Sequence, residues 1–373
     1  MSRILFISGS SGGHLTPLLA VAEELKKMNA STEIRFLCSP RGEDQDMLTR
    51  RGFTFTVLPA LCRSSGFPLA FWKNISVARE ILRTFRPDII FSKGGAAGIP
   101  LCSLAHKKNI PVILHESDAV MGRANVVASR WADVMCLGFL QEKDSGQRTA
   151  DFGRTIKFPN PSVRSPKSEV LVTGNPVRPE ILTGSREEGL RITGFDGTKP
   201  ILIILGGSQG AEVLNRIVMN ALPPLLAVCD VIHLTGKGKT GAPLQRGYWA
   251  RPFVDRELPH LYACASLALS RAGASTLSEF AATGLPAILV PLRGLAQDHQ
   301  MKNAECAEKT GGCILVQQEM LPQTLLPLVT DLLQNEDRRA EMAVKIRQIG
   351  GTGAARHVAE IIVENLASAG SDA

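Results

Sequence analysis

Residues 200–211 read PILIILGGSQGA, an apolar run that leads directly into a glycine-rich loop. Residues 3–13, RILFISGSSGG, repeat this arrangement at the start of the chain. A short apolar run is typical of a buried strand, and an amphipathic helical pattern follows each loop. The chain therefore holds two copies of one unit, a strand, a glycine loop and a helix, which predicts two Rossmann-like domains.

Short apolar runs alternate with helical patterns between these two points, as is typical of βαβ units with a parallel sheet. A stretch rich in proline, serine and lysine, residues 157–167, interrupts the alternation before it restarts. The predicted fold class is α/β, with two Rossmann-like parallel-sheet domains that face a central cleft. We predict strands at 4–8, 33–38, 53–58, 89–92 and 112–115, and helices that begin near residues 15, 45, 72, 99 and 124.

The composition limits the partners and the compartment. Lys and Arg outnumber Asp and Glu by 42 to 35, a net charge of +7 that favours phosphates, nucleotides or acidic lipid surfaces. A nucleic-acid partner is weakly supported, because aromatic residues make up only 5% and no interleaved basic stripe is evident. The eight cysteines form no CxxC pair, which predicts reduced thiols. No signal peptide or membrane-spanning run is recognisable, so we expect a soluble protein that is able to lie on a membrane.

The glycine loops suit a phosphorylated ligand. Open α/β sheets bind ligands at the carboxyl ends of their strands, and glycine lets backbone N–H groups approach closely. The helix that follows adds partial positive charge. Neither loop is a P-loop or a GxGxxG motif, which disfavours an ATPase or a dehydrogenase. Asp44-Gln-Asp46 spells a D-x-D motif, but it lies in a polar run at a predicted surface helix start, so we do not assign it as a metal site. No metal site and no cofactor are predicted for the chain.

Residues 270–286, SRAGASTLSEFAATGLP, place small residues and hydroxyls at a strand end and a helix start, where they suit phosphates. Glu279 follows in the helix, where a carboxylate is able to accept hydrogen bonds from both hydroxyls of a ribose. An ordinary exposed or capping glutamate is the alternative.

These segments carry a resemblance to a known family. The segments GSSGGHLTP, SKGGAAGIP, HESDAVMGRAN, VTGNPVR, GGSQGA, SRAGASTLSEFAATGLP and DHQMKNA occur in the order and spacing of the MurG family of peptidoglycan N-acetylglucosaminyltransferases, glycosyltransferase family 28. The similarity runs from about residue 3 to about residue 360. The resemblance implies a GT-B fold and metal-independent, inverting transfer of GlcNAc from UDP-GlcNAc to the C4 hydroxyl of MurNAc in undecaprenyl-pyrophosphoryl-MurNAc-pentapeptide (lipid I), which makes lipid II.

The resemblance also implies an acceptor side. His14 is the candidate general base for the acceptor hydroxyl, and a hydrogen-bonding residue at the helix start is the alternative. His115 and Glu116 either bind the acceptor or brace their loop. Asp118 departs from the family, which commonly has asparagine there; a second base and a mere substitution both stay open. The implied acceptor-binding residues are Gly12, Gly13, His14, Gly94, Gly95, His115, Glu116, Asp118 and Asn125.

The implied donor side lies in the second half of the chain. Ser208 and Gln209 match contacts to UDP and the sugar, Ser275 and Thr276 match contacts to the phosphates, and Glu279 matches the ribose ligand. Gln300 with His299 matches the GlcNAc hydroxyls, and Phe253 lies in the segment that recognises uracil. The implied donor-binding residues are Arg178, Gly207, Ser208, Gln209, Phe253, Ser275, Thr276, Glu279, His299 and Gln300.

A lipid-borne acceptor requires a membrane contact. Residues 61–90 carry five Lys or Arg against two Asp or Glu, next to apolar and aromatic side chains. This mixture suits an anionic membrane surface, and burial of the same side chains at a helix start is the alternative. The predicted location is the cytoplasmic face of the plasma membrane, as a peripheral protein. The predicted membrane patch is Phe67, Leu69, Phe71, Trp72 and Lys73.

The expected domains are residues 1–174 with the terminal helix 350–373, for the acceptor and the membrane, and residues 175–349, for UDP-GlcNAc. Three other functions stay open. A related GT-B enzyme would move a sugar from a UDP-sugar to another lipid acceptor, and UDP-GlcNAc 2-epimerase has the same fold. A noncatalytic membrane-recruiting subunit would use only one of the two glycine loops.

Overall fold

The computed structural model describes residues 1–8, 15–58, 67–139, 168–207, 210–239, 241, 243, 245–294, 296–350 and 352–371. It forms two compact units. Unit 1 comprises Met1–Ser117, Met121–Val177 and Gly353–Ala373, and unit 2 comprises Asp118–Val120 and Arg178–Thr352. Except for the short segment at 118–120, these limits lie within three residues of the expected ones.

Unit 1 is built on a seven-stranded parallel sheet. The strand order is β3-β2-β1-β4-β5-β6-β7, so the order reverses between β1 and β4. The strands are β1 (Arg3–Ile7), β2 (Glu33–Cys38), β3 (Thr54–Val57), β4 (Ile89–Ser92), β5 (Val112–Glu116), β6 (Val134–Leu137) and β7 (Glu169–Val172). The helices are α1 (Leu15–Met28), α2 (Gly42–Arg50), α3 (Phe67–Thr84), α4 (Ile99–His106), α5 (Arg123–Ala128) and, at the end of the chain, α13 (Ala354–Ser371).

Helix α13 belongs to unit 1 although unit 2 precedes it in the chain. Its residues Val358 and Ile362 are fully buried in the same apolar core as Leu18 and Val21 of α1. This apolar contact holds the end of the chain in unit 1.

Unit 2 repeats the plan with a six-stranded parallel sheet. Its strand order is β10-β9-β8-β11-β12-β13, which reverses between β8 and β11. The strands are β8 (Ile201–Leu205), β9 (Asp230–Leu234), β10 (Tyr248–Arg251), β11 (Leu267–Ser270), β12 (Ala287–Leu289) and β13 (Cys313–Leu315). The helices are α6 (Arg186–Thr193), α7 (Glu212–Val228), α8 (Leu258–Cys264), α9 (Ala274–Thr283), α10 (His299–Lys309), α11 (Leu321–Gln334) and α12 (Glu336–Ile346).

The apolar runs at 3–7 and 201–205 become the strands on one side of each reversal. Both are buried almost throughout, because helices cover both faces of a parallel sheet. Ligands of such sheets bind beyond the carboxyl ends of the strands at the reversal. The two units therefore point to two candidate half-sites, after β1 and β4 in unit 1 and after β8 and β11 in unit 2.

The D-x-D motif has a structural use. Helix α2 begins at Gly42, three residues before its predicted start, and this places Asp44 in its first turn. The side chain of Asp44 is buried, not on the surface as the sequence suggested, and its Oδ2 accepts a hydrogen bond from the Oγ of Ser39 over 2.6 Å. Asp44 therefore fixes the turn between β2 and α2.

Candidate functional site

The loop after β8 requires glycine at two positions. A Cβ atom on Gly206 would lie 2.5 Å from the backbone nitrogen of Ala211. A Cβ atom on Gly210 would lie 2.2 Å from the carbonyl oxygen of Thr235, and Gly210 has a φ of +68°. The chain therefore passes close to its own backbone here, and only glycine fits at these two positions. Gly207, with a φ of +82°, is the predicted donor residue that the structure describes in this loop, whereas Ser208 and Gln209 lie outside the described residues.

A series of hydrogen bonds between buried side chains of unit 2 ends at Thr235, whose carbonyl oxygen lies against this loop. His233 is fully buried, with Nε2 3.1 Å from the Oδ1 of Asn215 and Nδ1 2.9 Å from the hydroxyl of Tyr248. The amide nitrogen of Asn215 donates to the carbonyl oxygen of Thr235 over 2.8 Å, so its Oδ1 accepts from His233. Nε2 therefore carries the proton and Nδ1 accepts from Tyr248. Burial lowers the pKa of His233 to about 4, which keeps the ring neutral.

The second loop of unit 2 leads from β11 into α9. Its buried Arg271 donates to the carbonyl oxygen of Val290 over 2.8 Å and to the Oε1 of Gln318 over 2.6 Å. Ser275 and Thr276 are half-buried in the first turn of α9. Their position at a helix N-terminus, beside the β8 loop, suits an anion.

Glu279 lies one turn further along α9 and is buried rather than exposed or capping. Its Oε2 accepts a hydrogen bond from the hydroxyl of the buried Tyr262 over 2.8 Å. Burial raises the pKa of Glu279, while the charge of Arg178 and the hydrogen bond from Tyr262 act in the opposite direction. Tyr262 was not predicted as a site residue, since it lies in α8, 17 positions away.

Arg178 joins the same region of unit 2. Its NH1 group donates to the Oδ1 of Asp255 over 2.6 Å in a largely buried ion pair. Its buried Nε has no hydrogen-bond partner among the described residues. Asp255 follows Phe253 by two positions, and the ring of Phe253 is 42% exposed, with the Nζ of Lys237 5.0 Å from its centroid. The ion pair therefore lies two positions from the predicted uracil residue, and the charge of Arg178 also acts on Glu279, the predicted ribose residue.

The start of α10 carries the two predicted sugar residues. His299 and Gln300 are half-buried in its first turn, and the Oε1 of Gln300 accepts from the backbone N–H of Leu292 over 3.0 Å. Gln297 and Asp298 precede them with φ values of +65° and +55°. Such backbone is strained in a non-glycine residue and is common at ligand sites.

Asn303, also in α10, was missed as a site residue. Its fully buried Oδ1 accepts from the backbone N–H of Ala119 over 2.8 Å. Its amide nitrogen donates to the Oδ1 of Asp118 over 2.8 Å and to the carbonyl oxygen of Ala272 over 3.1 Å. Asp118 thus has a structural partner, which favours a positioning use over a second base. The available signal was a lone asparagine on the buried face of α10, among Met301, Ala304 and Ala307.

In unit 1, the loop after β4 packs against an asparagine. Gly94 has a φ of +88°, and a Cβ atom there would lie 2.4 Å from the Oδ1 of Asn125. The neighbouring Gly95 has a φ of +95°. The amide nitrogen of Asn125 donates to the Oε2 of Glu116 over 2.9 Å, and the same oxygen accepts from the backbone N–H of Gly122 over 2.8 Å. Four of the predicted acceptor residues therefore lie in one region.

His115, predicted either to bind the acceptor or to brace its loop, has no exposed surface in this structure. Its Nε2 lies 3.1 Å from the carbonyl oxygen of Gly174 and must donate, while its buried Nδ1 has no partner among the described residues. Burial, with the charge of Lys93, lowers the pKa of His115 to about 3. The bracing alternative is the one that this geometry favours for both His115 and Glu116.

Several predicted residues lie outside the described part of the chain, namely Gly12, Gly13 and His14, and the side chains of Phe67, Leu69 and Phe71. In the membrane patch, Trp72 is 65% exposed and Lys73 is exposed. Over the described residues, no helix has the length and apolar character needed to cross a bilayer. Within the same residues, no cluster of three His, Cys, Asp or Glu side chains suited to a metal ion occurs.

Comparison with known proteins gives consistent matches. Residues 4–136 match the family model of the glycosyltransferase family 28 N-terminal domain, and residues 201–360 match that of the C-terminal domain. A Bacillus cereus protein named UDP-N-acetylglucosamine N-acetylmuramyl-(pentapeptide) pyrophosphoryl-undecaprenol N-acetylglucosamine transferase 2 is 33% identical over 90% of this chain and 93% of its own. A Clostridium botulinum protein with the same name, without the number, is 32% identical over 90% and 92%.

Solved structures agree with the sequence matches. The crystal structure of MurG from Acinetobacter baumannii has a TM-score of 0.72 and 27% identity, and the match covers 98% of this chain and 100% of that one. A UDP-GlcNAc 2-epimerase from Neisseria meningitidis has a TM-score of 0.65 at 15% identity, covering 99% of this chain and all of that one. The second match shows a shared fold alone.

Proposed function

The chain belongs to the MurG family within glycosyltransferase family 28, and we propose that it transfers GlcNAc from UDP-GlcNAc to the MurNAc residue of lipid I, making lipid II. It is a hexosyltransferase that takes part in peptidoglycan synthesis. The sequence similarity extends over nine-tenths of the chain, and the GT-B architecture agrees with it.

Unit 2 is the proposed donor unit. The observation that carries this assignment is the position of Glu279, a buried carboxylate one turn beyond the N-terminus of α9, at the point where the strand order reverses. In this arrangement Ser275 and Thr276 bind the diphosphate and Glu279 accepts from the ribose. Phe253 and its backbone contact uracil, while His299 and Gln300 bind the GlcNAc hydroxyls.

The leaving group is stabilised by the protein backbone. The glycine loop after β8 allows N–H groups to reach the diphosphate, and helix α7 begins directly after it at Glu212. The N-terminus of a helix of 17 residues carries about half a positive charge, which favours the diphosphate as the glycosidic bond breaks.

Unit 1 is the proposed acceptor unit. His14 takes the proton from the C4 hydroxyl of MurNAc, whose oxygen attacks C1 of GlcNAc as UDP leaves from the opposite face. The product has inverted, β-1,4 stereochemistry. A positioned base of this kind contributes about 10²- to 10⁴-fold to the rate. In this proposal Gly12, Gly13, Gly94 and Gly95 serve the diphosphate of lipid I, and Asn125 packs against Gly94.

We also propose that unit 1 lies on the cytoplasmic face of the plasma membrane. Trp72 exposes 65% of its surface in the second turn of α3, and Lys73 is exposed next to it. An aromatic side chain and a cation are the pair that anionic lipid surfaces bind. The surface places the enzyme where its lipid-linked acceptor is found.

The acceptor decides between this function and its alternatives. Radiolabelled UDP-GlcNAc is incubated, in EDTA, with the chain and either a short-chain lipid I analogue or diacylglycerol. We expect transfer to the lipid I analogue alone. Transfer to diacylglycerol would indicate a different lipid acceptor. Conversion of UDP-GlcNAc to the UDP-linked sugar epimerised at C2, with no transfer, would indicate the epimerase. Binding of UDP-GlcNAc without either product would indicate a noncatalytic subunit.

A further inference from the structure

The hydroxyl of Tyr262 forms a hydrogen bond with the carboxylate of Glu279. It lies 2.8 Å from Oε2, and a carboxylate oxygen only accepts, so the tyrosine donates. Both residues are buried, and the Tyr262 ring packs edge-on against Phe280, with 5.7 Å between the ring centroids. The donor and the acceptor are therefore both held by packing, on α8 and α9.

This hydrogen bond gives the two oxygens of the Glu279 carboxylate different surroundings. Oε2 is used by the protein, whereas Oε1 accepts no hydrogen bond from the residues that the structure describes. Glu279 nevertheless keeps 9% of its surface exposed. A carboxylate held through one oxygen presents the other in a fixed direction, and pre-organisation of this kind increases the discrimination that a hydrogen bond provides.

We propose that Tyr262 is a positioning residue that sets the selectivity of the donor site for ribose over deoxyribose by orienting the Glu279 carboxylate. This inference rests on the proposed function in one respect, the contact of Glu279 with ribose. It adds a residue that makes no contact with the nucleotide and acts through Glu279.

The test compares the dissociation constants of UDP, 2′-deoxy-UDP and 3′-deoxy-UDP by calorimetry. The wild-type chain is expected to bind UDP about 10- to 100-fold more tightly than at least one deoxynucleotide, because a hydrogen bond to a carboxylate is lost. Tyr262→Phe removes one oxygen atom and keeps the ring, and we expect it to reduce that ratio to about threefold or less. In the transfer reaction the same variant raises KM for UDP-GlcNAc while kcat stays within about threefold.

Tyr248 provides a matched control. It is the other tyrosine of the chain, it is equally buried in unit 2, and its hydroxyl hydrogen-bonds to His233 rather than to Glu279. Tyr248→Phe also loses a buried hydroxyl, but one that does not contact Glu279. A change that it causes in the β8 loop affects UDP and the deoxynucleotides alike, so it leaves their ratio unchanged. We expect it to keep the wild-type ratio between UDP and the deoxynucleotides.

If Tyr262→Phe does not fold, a measurement on the wild-type chain tests the same inference. With ¹³Cζ-labelled tyrosine the chain gives two resonances, which Tyr248→Phe assigns. We expect the Tyr262 resonance to shift with UDP and to shift less than half as far with the discriminated deoxynucleotide. Equal shifts would overturn the inference.

The two proposals fail in different ways. Wild type that does not distinguish UDP from either deoxynucleotide contradicts the contact of Glu279 with ribose, and the role of Tyr262 with it. Discrimination that is intact in both the wild type and a folded Tyr262→Phe overturns the role of Tyr262 alone.

Discussion

Asn303 donates an N–H of its side-chain amide to the Oδ1 of Asp118 over 2.8 Å. Its own Oδ1 accepts from the backbone N–H of Ala119, which fixes the orientation of the amide. Its second donor contact is the carbonyl oxygen of Ala272, in the loop between β11 and α9. All polar atoms of this fully buried amide are therefore used to hold two segments of unit 2.

Asn303→Asp is expected to destabilise the chain. One oxygen of the new carboxylate faces Asp118 and the Ala272 carbonyl oxygen. All three groups are hydrogen-bond acceptors and no donor lies between them, which lowers the free energy of unfolding by about 1–3 kcal/mol or more. The thermal midpoint is expected to fall by roughly 3–10 °C. Asp118→Asn is the control, since its amide oxygen accepts from Asn303 and its midpoint stays near the wild-type value. An Asn303→Asp variant that melts like the wild type would contradict the role of the amide.

Gly210→Ala is expected to impair nucleotide binding. Its Cβ would lie 2.2 Å from the carbonyl oxygen of Thr235, so the loop must move. Gly238→Ala is the matched control, because Gly238 has a nearly identical φ of +70° and nothing within 4 Å of its Cβ. Both variants carry the strain of a positive φ, about 1–3 kcal/mol. We expect a rise of about tenfold or more in the Kd for UDP for Gly210→Ala alone. Equal Kd values for the two variants would contradict a dependence of UDP binding on the conformation of the loop at Gly210.

Two histidines make stability depend on pH. Their folded pKa values are about 3 for His115 and about 4 for His233, whereas an unfolded histidine has a pKa near 6.5. Their contribution to stability is complete above pH 6.5. As the pH falls below 6.5, these histidines become protonated in the unfolded state but stay neutral in the folded state. Each histidine therefore lowers the free energy of unfolding by about 1.4 kcal/mol per pH unit until its folded pKa is reached.

Nuclear magnetic resonance checks this expectation directly. The Cε1–H resonances of His115 and His233, assigned with His115→Gln and His233→Gln, are expected to stay unchanged from pH 8 to pH 6. A midpoint between pH 5 and 7 for either resonance would show that its ring reaches solvent.

Trp72→Ala is expected to weaken binding to anionic vesicles. Loss of a large apolar side chain removes about 2 kcal/mol of the binding free energy, and Lys73→Glu removes a similar amount through charge. Flotation with vesicles that contain an anionic lipid measures both. Met320→Ala, which truncates a 46% exposed side chain in unit 2, is the control and is expected to float like the wild type. Unchanged flotation of the double variant Trp72→Ala, Lys73→Glu would remove the membrane patch from the account.

The fold was predictable from local pattern. The runs at 33–38 and 89–92 are strands with the bounds expected. The second is apolar up to its final serine, and in the first the charged Glu33 and Arg35 alternate with buried apolar residues. Helix starts were predicted less well. Helix α3 begins at Phe67, five residues before its expected start. A proline in its first turn looks like a helix breaker in the sequence, although proline is well tolerated at this position.

The site was predictable only where its residues follow strands in the sequence. The glycine loops are visible because each directly follows an apolar run. Tyr262 and Asn303 were not, because their partners lie 17 and as many as 185 positions away and meet them only through the fold. The burial of His115 was also hidden, since a histidine at a strand end looks the same in sequence whether it faces a ligand or a carbonyl oxygen.

The division of work between the two units is the central claim, and the transfer rate of His14→Ala at saturating UDP-GlcNAc tests it most directly. We expect a loss of about 10²- to 10⁴-fold with a lipid I analogue, because the general base is removed while the donor residues of unit 2 stay intact. The Kd for UDP-GlcNAc is expected to stay within about threefold of the wild-type value. A transfer rate near that of the wild type, or a donor affinity that falls together with the rate, would contradict the account.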